Sequence, residues 1–83
     1  QADSGITLTP QEDCWIVNGL VEVGNAHRAG IRRGDIITSI NGLTREQVSL
    51  KELKRMNRSD EDWKVVVKRN DTTNEVTFEK EKY

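Results

Sequence analysis

Asn25-Ala26-His27-Arg28-Ala29-Gly30-Ile31-Arg32-Arg33-Gly34-Asp35-Ile36-Ile37-Thr38-Ser39-Ile40-Asn41-Gly42 is the stretch that decides the fold. It reads as a short helix, a tight turn, a buried strand and a second tight turn. Ala26 and Ala29 are three apart, so they share a helix face, and both are small enough to let that face sit close to a neighbour. Gly30 stops the helix, because glycine enters the left-handed conformation without a Cβ clash. Ile31 can then pack back over the helix end. Arg32-Arg33-Gly34-Asp35 reads as a solvated turn. Ile36, Ile37 and Ile40 form a short β-branched run typical of a buried strand, and Asn41-Gly42 is a strong hairpin-turn signal.

Working outward toward the C-terminus, Leu43 to Val48 reads as a connector. Ser49-Leu50-Lys51-Glu52 is a capping box, with Val48 and Leu53 placed to staple across it. Leu50, Leu53 and Met56 fall at helical spacing, so an amphipathic helix is expected from about Ser49 to Asn57. Trp63, Val65 and Val67 alternate with Lys64, Val66 and Lys68, which predicts a strand. Asn70 to Asn74 reads as a hairpin loop, and Val76 and Phe78 mark the returning strand. Toward the N-terminus, Cys14 to Val23 holds a strand interrupted at Asn18-Gly19, where a bulge is expected. Pro10 ends an earlier strand that contains Ile6 and Leu8. Residues 1–4 and 80–83 are polar or charged and are expected to be frayed.

The spacing of Ala26-His27-Arg28-Ala29-Gly30-Ile31, Gly34-Asp35-Ile36-Ile37 and Ile40-Asn41-Gly42 resembles the middle of a PDZ domain of the bacterial type. Gly24-Asn25 stands where that family usually carries Ser-Pro, but glycine is an acceptable helix N-cap. The element order also resembles the permuted bacterial arrangement. No strand precedes the ligand-binding loop, and Val76 to Glu79 would fill the place of the missing one. The resemblance runs from Gly5 to Glu79 and implies a single α+β domain over residues 1–83. The implied fold is PDZ-like: a small, partly open antiparallel β-barrel or sandwich capped by two helices.

The resemblance also implies a function. In a PDZ domain a loop of glycines and apolar residues opens onto the strand that receives a peptide. Successive N–H groups of that loop form a nest for a terminal carboxylate. Two registers are open here: Gly5-Ile6-Thr7-Leu8 as the whole loop, or Ser4-Gly5-Ile6 as its end. The helix after Ser49 would form the opposite wall, through Leu50 and either Leu53 or Lys54. The implied peptide-binding residues are therefore Ser4, Gly5, Ile6, Thr7, Leu8, Leu50, Leu53 and Lys54. The implied ligand is an extended or C-terminal peptide taken by β-strand addition. Read without the resemblance, Ile6 and Leu8 are a plain first strand in the core. An alternative role is a structural or regulatory domain that packs on an adjacent protease domain with no free ligand. Bacterial domains of this kind mostly sit in cell-envelope proteases, so the resemblance implies a periplasmic or envelope location. The Ser4-Gly5-Ile6 pattern and charged tail look most like the retroviral-type aspartic proteases.

Composition narrows the remaining classes. The chain has 83 residues, one domain's worth, with 13 basic and 14 acidic side chains and a net charge of −1. That balance supplies no field to draw in nucleic acid or an anionic membrane. No apolar run approaches the roughly 20 residues of a membrane span. Cys14 stands alone, so neither an internal disulfide nor a cysteine-based zinc site can form. His27, the single histidine, is read as an exposed helix residue with no carboxylate or nucleophile to partner it. There is no Gly-x-Ser-x-Gly or Ser-x-x-Lys motif. Neither catalytic residues, metal ligands nor a cofactor are expected within these residues. The start at Gln1 rather than Met suggests a piece of a longer protein.

Overall fold

The structure, a computed structural model covering residues 1–83, is built on an open, mostly antiparallel sheet. Its strands are β1 (Ala2–Asp3), β2 (Ile6–Pro10), β3 (Trp15–Leu20), β4 (Ile36–Ile40), β5 (Leu43–Thr44), β6 (Trp63–Arg69), β7 (Thr72–Phe78) and β8 (Glu81–Lys82). Two helices, α1 (Asn25–Arg28) and α2 (Leu50–Arg58), interrupt them. The main sheet runs β2-β3-β4-β6-β7, with β5 hairpinned onto β4, and β1 and β8 form a separate ribbon. This is the small α+β, PDZ-like arrangement expected, and its sheet does not close into a barrel. Neither helix is long and apolar enough to cross a membrane.

The deciding stretch folds as its residues dictate. At the end of α1, the Ile31 N–H reaches the Ala26 carbonyl and the Gly30 N–H reaches the His27 carbonyl. That pair of bonds is a Schellman motif, and it needs Gly30 at φ +106°. Ile31, directly after it, is fully buried, as are Ile37 and Ile40. Asn41 and Gly42 both take positive φ, 51° and 81°, which lets β4 turn straight back into β5. Gly24 caps α1 without any side-chain bond.

The core collects one face of each strand. Trp15, Val17, Ile37, Ile40, Trp63, Val65, Val67 and Phe78 pack together, joined by Ala26, Val48 and Met56 from the helical side. Trp63 meets Phe78 edge to face, with ring centroids 6.4 Å apart. The expected bulge is present. Thr7 pairs with Gly19 and Leu8 with Val17, so Asn18 is the extra residue and β3 is the bulged strand.

Five expectations are corrected. Residues 1–4 and 80–83 are not frayed: Ala2 pairs with Lys82 and Asp3 with Glu81, and Ala2 and Lys80 are buried. The strand adjoining the N-terminal residues is therefore β8, beyond the hairpin, while Val76 to Phe78 pairs with β6 as the returning strand expected. Lys80 is held because its Nζ donates to the Met56 and Ser59 carbonyls at the end of α2 and lies 5.3 Å from the Trp63 ring centroid. The turn at Asp35 is not wholly solvated: its carboxylate is buried, accepting from the Arg32 N–H and from Arg69. Asn70–Asn74 is not a long loop, since Asn70 at φ 56° lets a two-residue turn join β6 to β7. Leu43–Val48 holds β5 and a single 3-10 turn, Arg45–Gln47, closed by a bond from the Thr44 N–H to Gln47.

Candidate functional site

The sheet ends on one side at β2. Only one edge of β2 is paired, with β3, so the other presents free backbone donors and acceptors. Alongside that edge lies α2. Ser49 fixes its start by accepting the Glu52 N–H through its hydroxyl, and Val48, immediately before the cap, is buried. Glu52 does not reach back to complete the capping box; it pairs with Arg55 instead. Lys80 holds the other end of the helix. Burial lowers the Lys80 ammonium from its ordinary value, partly offset by the charges of Glu61 and Asp60.

Between β2 and α2 runs a groove of about 340 Å³. Ile6, Thr7 and Leu8 line it from the strand, and Leu50, Leu53 and Lys54 from the helix. Six of the eight residues expected from the sequence thus share one cleft. Leu50 is 63% exposed, an apolar side chain left open along the groove wall. Leu53 is half-buried and packs against the core, so it serves both groove and core. Gly5 lines a neighbouring depression rather than this groove. Ser4 is buried, with its hydroxyl turned to Asn57 on the last turn of α2.

Asp3, Asn57, Arg58 and Trp63 also line the groove and were not among the expected site residues. Two of them carried a signal. Asn57 lies seven residues after Leu50, on the same helix face. Asp3-Ser4-Gly5 has the spacing of an Asx turn, in which a carboxylate accepts the N–H two residues on. The structure shows that bond at 2.7 Å.

No His/Cys/Asp/Glu group has metal-binding geometry. His27 is half-buried rather than exposed, and its carbonyl accepts from Arg32. Cys14 is partly exposed; burial first, and then the neighbouring Asp13, push its thiol up, away from the reactive thiolate form.

Comparison with known proteins agrees with this geometry. The family model described as "PDZ domain" matches residues 16–68, more than half of the chain. Among solved structures, a PDZ domain protein from Parabacteroides distasonis is similar over 98% of this chain, with a TM-score of 0.81 and 20% identity. The HtrA-type protease AlgW, solved with a decapeptide, is similar over 96% of this chain, with a TM-score of 0.77 and 19% identity. At those identities the likeness is one of fold. The chain spans 20% and 28% of the lengths of those two proteins. Among curated proteins, none matches it.

Proposed function

The chain belongs to the PDZ domain family, and on that footing we propose that it binds an extended peptide added as a strand along the free edge of β2, opposite α2. PDZ domains are binding modules rather than enzymes. The observation that carries the reading is the coincidence of two unmet needs in one place. The unpaired edge of Ile6–Pro10 borders an open apolar groove walled by Leu50 and Leu53. Backbone pairing to β2 supplies affinity, and side chains at alternate ligand positions enter the apolar groove. Lys54 stands at the groove's rim as a charged contact. Ordering an extended peptide consumes much of the gross interaction, so binding is expected to be modest. The domain acts as part of a longer polypeptide, beside a protease domain in the periplasm or cell envelope. The sequence resemblance and the likeness to an HtrA-type protease support that placement.

An array of random decapeptides, probed with wild type and with Leu50→Glu, tests this. Wild type is expected to retain a subset. Leu50→Glu should weaken those by about ten-fold or more while remaining folded, since burying a leucine contributes roughly 1.5–3 kcal/mol. Affinity unchanged in both Leu50→Glu and Leu53→Glu would place binding elsewhere. A folded chain that retains no peptide would favour the other reading, a packing or regulatory domain with no free ligand.

A further inference from the structure

Capture of a chain end needs backbone N–H groups free to receive its carboxylate. At the head of β2 the groups placed for that purpose are three successive N–H groups, from Ser4, Gly5 and Ile6. All three are already spent within the chain. The Ser4 N–H donates to Asn57 Oδ1 at 3.3 Å, the Gly5 N–H to Asp3 Oδ1 at 2.7 Å, and the Ile6 N–H to Ser4 Oγ at 3.2 Å. The Ser4 hydroxyl donates in turn to Asn57 Oδ1, which ties the loop to the end of α2. Asp3 thus places a carboxylate of its own where a ligand's would go, and its charge repels a second one. Lys54 and Arg58 also line the groove; both belong to α2, where they can meet acidic side chains along a peptide, and neither replaces the three N–H donors of the loop.

The groove does not stop at this loop. A second depression, of about 480 Å³, adjoins it, sharing Asp3, Ile6, Thr7 and Asn57 and continuing over Gly5 and Leu20 to Val21. Val21 is 53% exposed, an apolar side chain positioned past the point where a captured chain end would terminate. We infer that this groove selects an internal extended segment, one that runs on past Gly5 over Leu20 and Val21, and rejects a free C-terminal carboxylate at the loop. The inference rests on the peptide-binding reading above and specifies its ligand class.

Two displayed libraries of random decapeptides separate the possibilities. One holds the decapeptide between glycine-serine flanks; the other ends in a free carboxylate. Each enriched sequence is then synthesised as the acid and as the amide, and also with glycine-serine flanks. Wild type is expected to enrich the flanked library and to bind acid and amide within about two-fold. Val21→Glu should weaken the flanked peptides at least five-fold. Asp3→Ala, which frees the Gly5 N–H, should create a preference for the acid of about ten-fold, the worth of one hydrogen bond to a charged group. A ten-fold preference for the acid in wild type would overturn the inference and leave the peptide-binding reading standing. Failure of both libraries to enrich would overturn that reading, and the inference with it. Because the wild-type comparison needs no substitution, it decides the matter even if Asp3→Ala or Val21→Glu fails to fold.

Discussion

Two aspartates in this chain do the same local task in different settings. Asp35 accepts the Arg32 N–H at 2.8 Å, and Asp3 accepts the Gly5 N–H at 2.7 Å. Each carboxylate therefore holds a turn at the entrance to a strand. Asp35 is buried and gripped by both Nε and a terminal nitrogen of Arg69, a two-pronged contact. Asp3 is half-buried, lies on a two-residue strand and borders the groove. The first arrangement locks β4 to the far end of β6. The second closes a loop that would otherwise offer its donors to a ligand. A carboxylate-to-backbone bond is therefore structural where a distant cation and burial reinforce it, and on the proposed reading becomes a determinant of recognition where it faces an open cleft.

The largest expected effect is at Asp35. Asp35→Ala removes the acceptor for the Arg32 N–H and for Arg69, and should cost about 2 kcal/mol. That would lower Tm by roughly 10 °C in a domain of this size. Urea unfolding should show a lower midpoint at unchanged slope. A loss below half of that estimate would remove the contrast between the two aspartates.

The pH dependence sharpens the same point. Burial alone would raise the Asp35 carboxyl, but the Arg69 hydrogen bond, the Arg32 amide and the charge of Arg69 outweigh it and hold it low. Its folded value lies below its unfolded one, so it stabilises fully above the ordinary aspartate value of about 3.9. That contribution fades as pH falls through the lowered folded value. The stability gap between wild type and Asp35→Asn should therefore be constant near neutral pH and close in acid. A gap that persists unchanged in acid would mean that the ion pair does not carry it.

Next in size is Lys80. Lys80→Met keeps the stem against Trp63 but leaves the Met56 and Ser59 carbonyls without their cation, for a loss of about 1–2 kcal/mol. Amide exchange should quicken first in the last turn of α2, the segment that carries Asn57. Asp3→Ala should have the smallest effect on stability, under about 1 kcal/mol. Its signature is local: the Gly5 amide proton should exchange faster while those of β4 and β6 keep their protection. Global loss of protection in Asp3→Ala would place Asp3 with Asp35 as a structural residue.

The parts that could be read from the sequence are those whose cause lies within a few residues. Gly30 ends α1, Asn41-Gly42 reverses β4, and Ser49 caps α2, each through local backbone chemistry. The helix stripe of Leu50, Leu53 and Met56 and the strand Ile6–Leu8 were legible in the same way, whereas Lys54, which lines the groove with Leu50 and Leu53, was placed there only by the family resemblance and as an alternative to Leu53. What escaped the reading depends on partners far along the chain. Asp35 reads as solvated until Arg69, 34 residues on, is folded against it. Lys80 reads as a tail residue until the carbonyls at the end of α2 reach it. The strands β1 and β8 are two residues each, too short to carry an alternation, and only their pairing defines them. The loop at Ser4–Ile6 combines both cases. The Asp3–Gly5 bond was local and could have been anticipated, whereas the Ser4–Asn57 bond spans 53 residues and could not.

The most direct test of the peptide-groove account is an amide chemical-shift map of the isotope-labelled chain, titrated with a flanked decapeptide enriched from the display library. The account predicts progressive shifts at Ile6 to Leu8 and at Leu50 to Asn57, continuing to Leu20 and Val21. The β6–β7 hairpin turn at Asn70 should stay still. Shifts centred on that hairpin, with β2 and α2 unmoved, would contradict it.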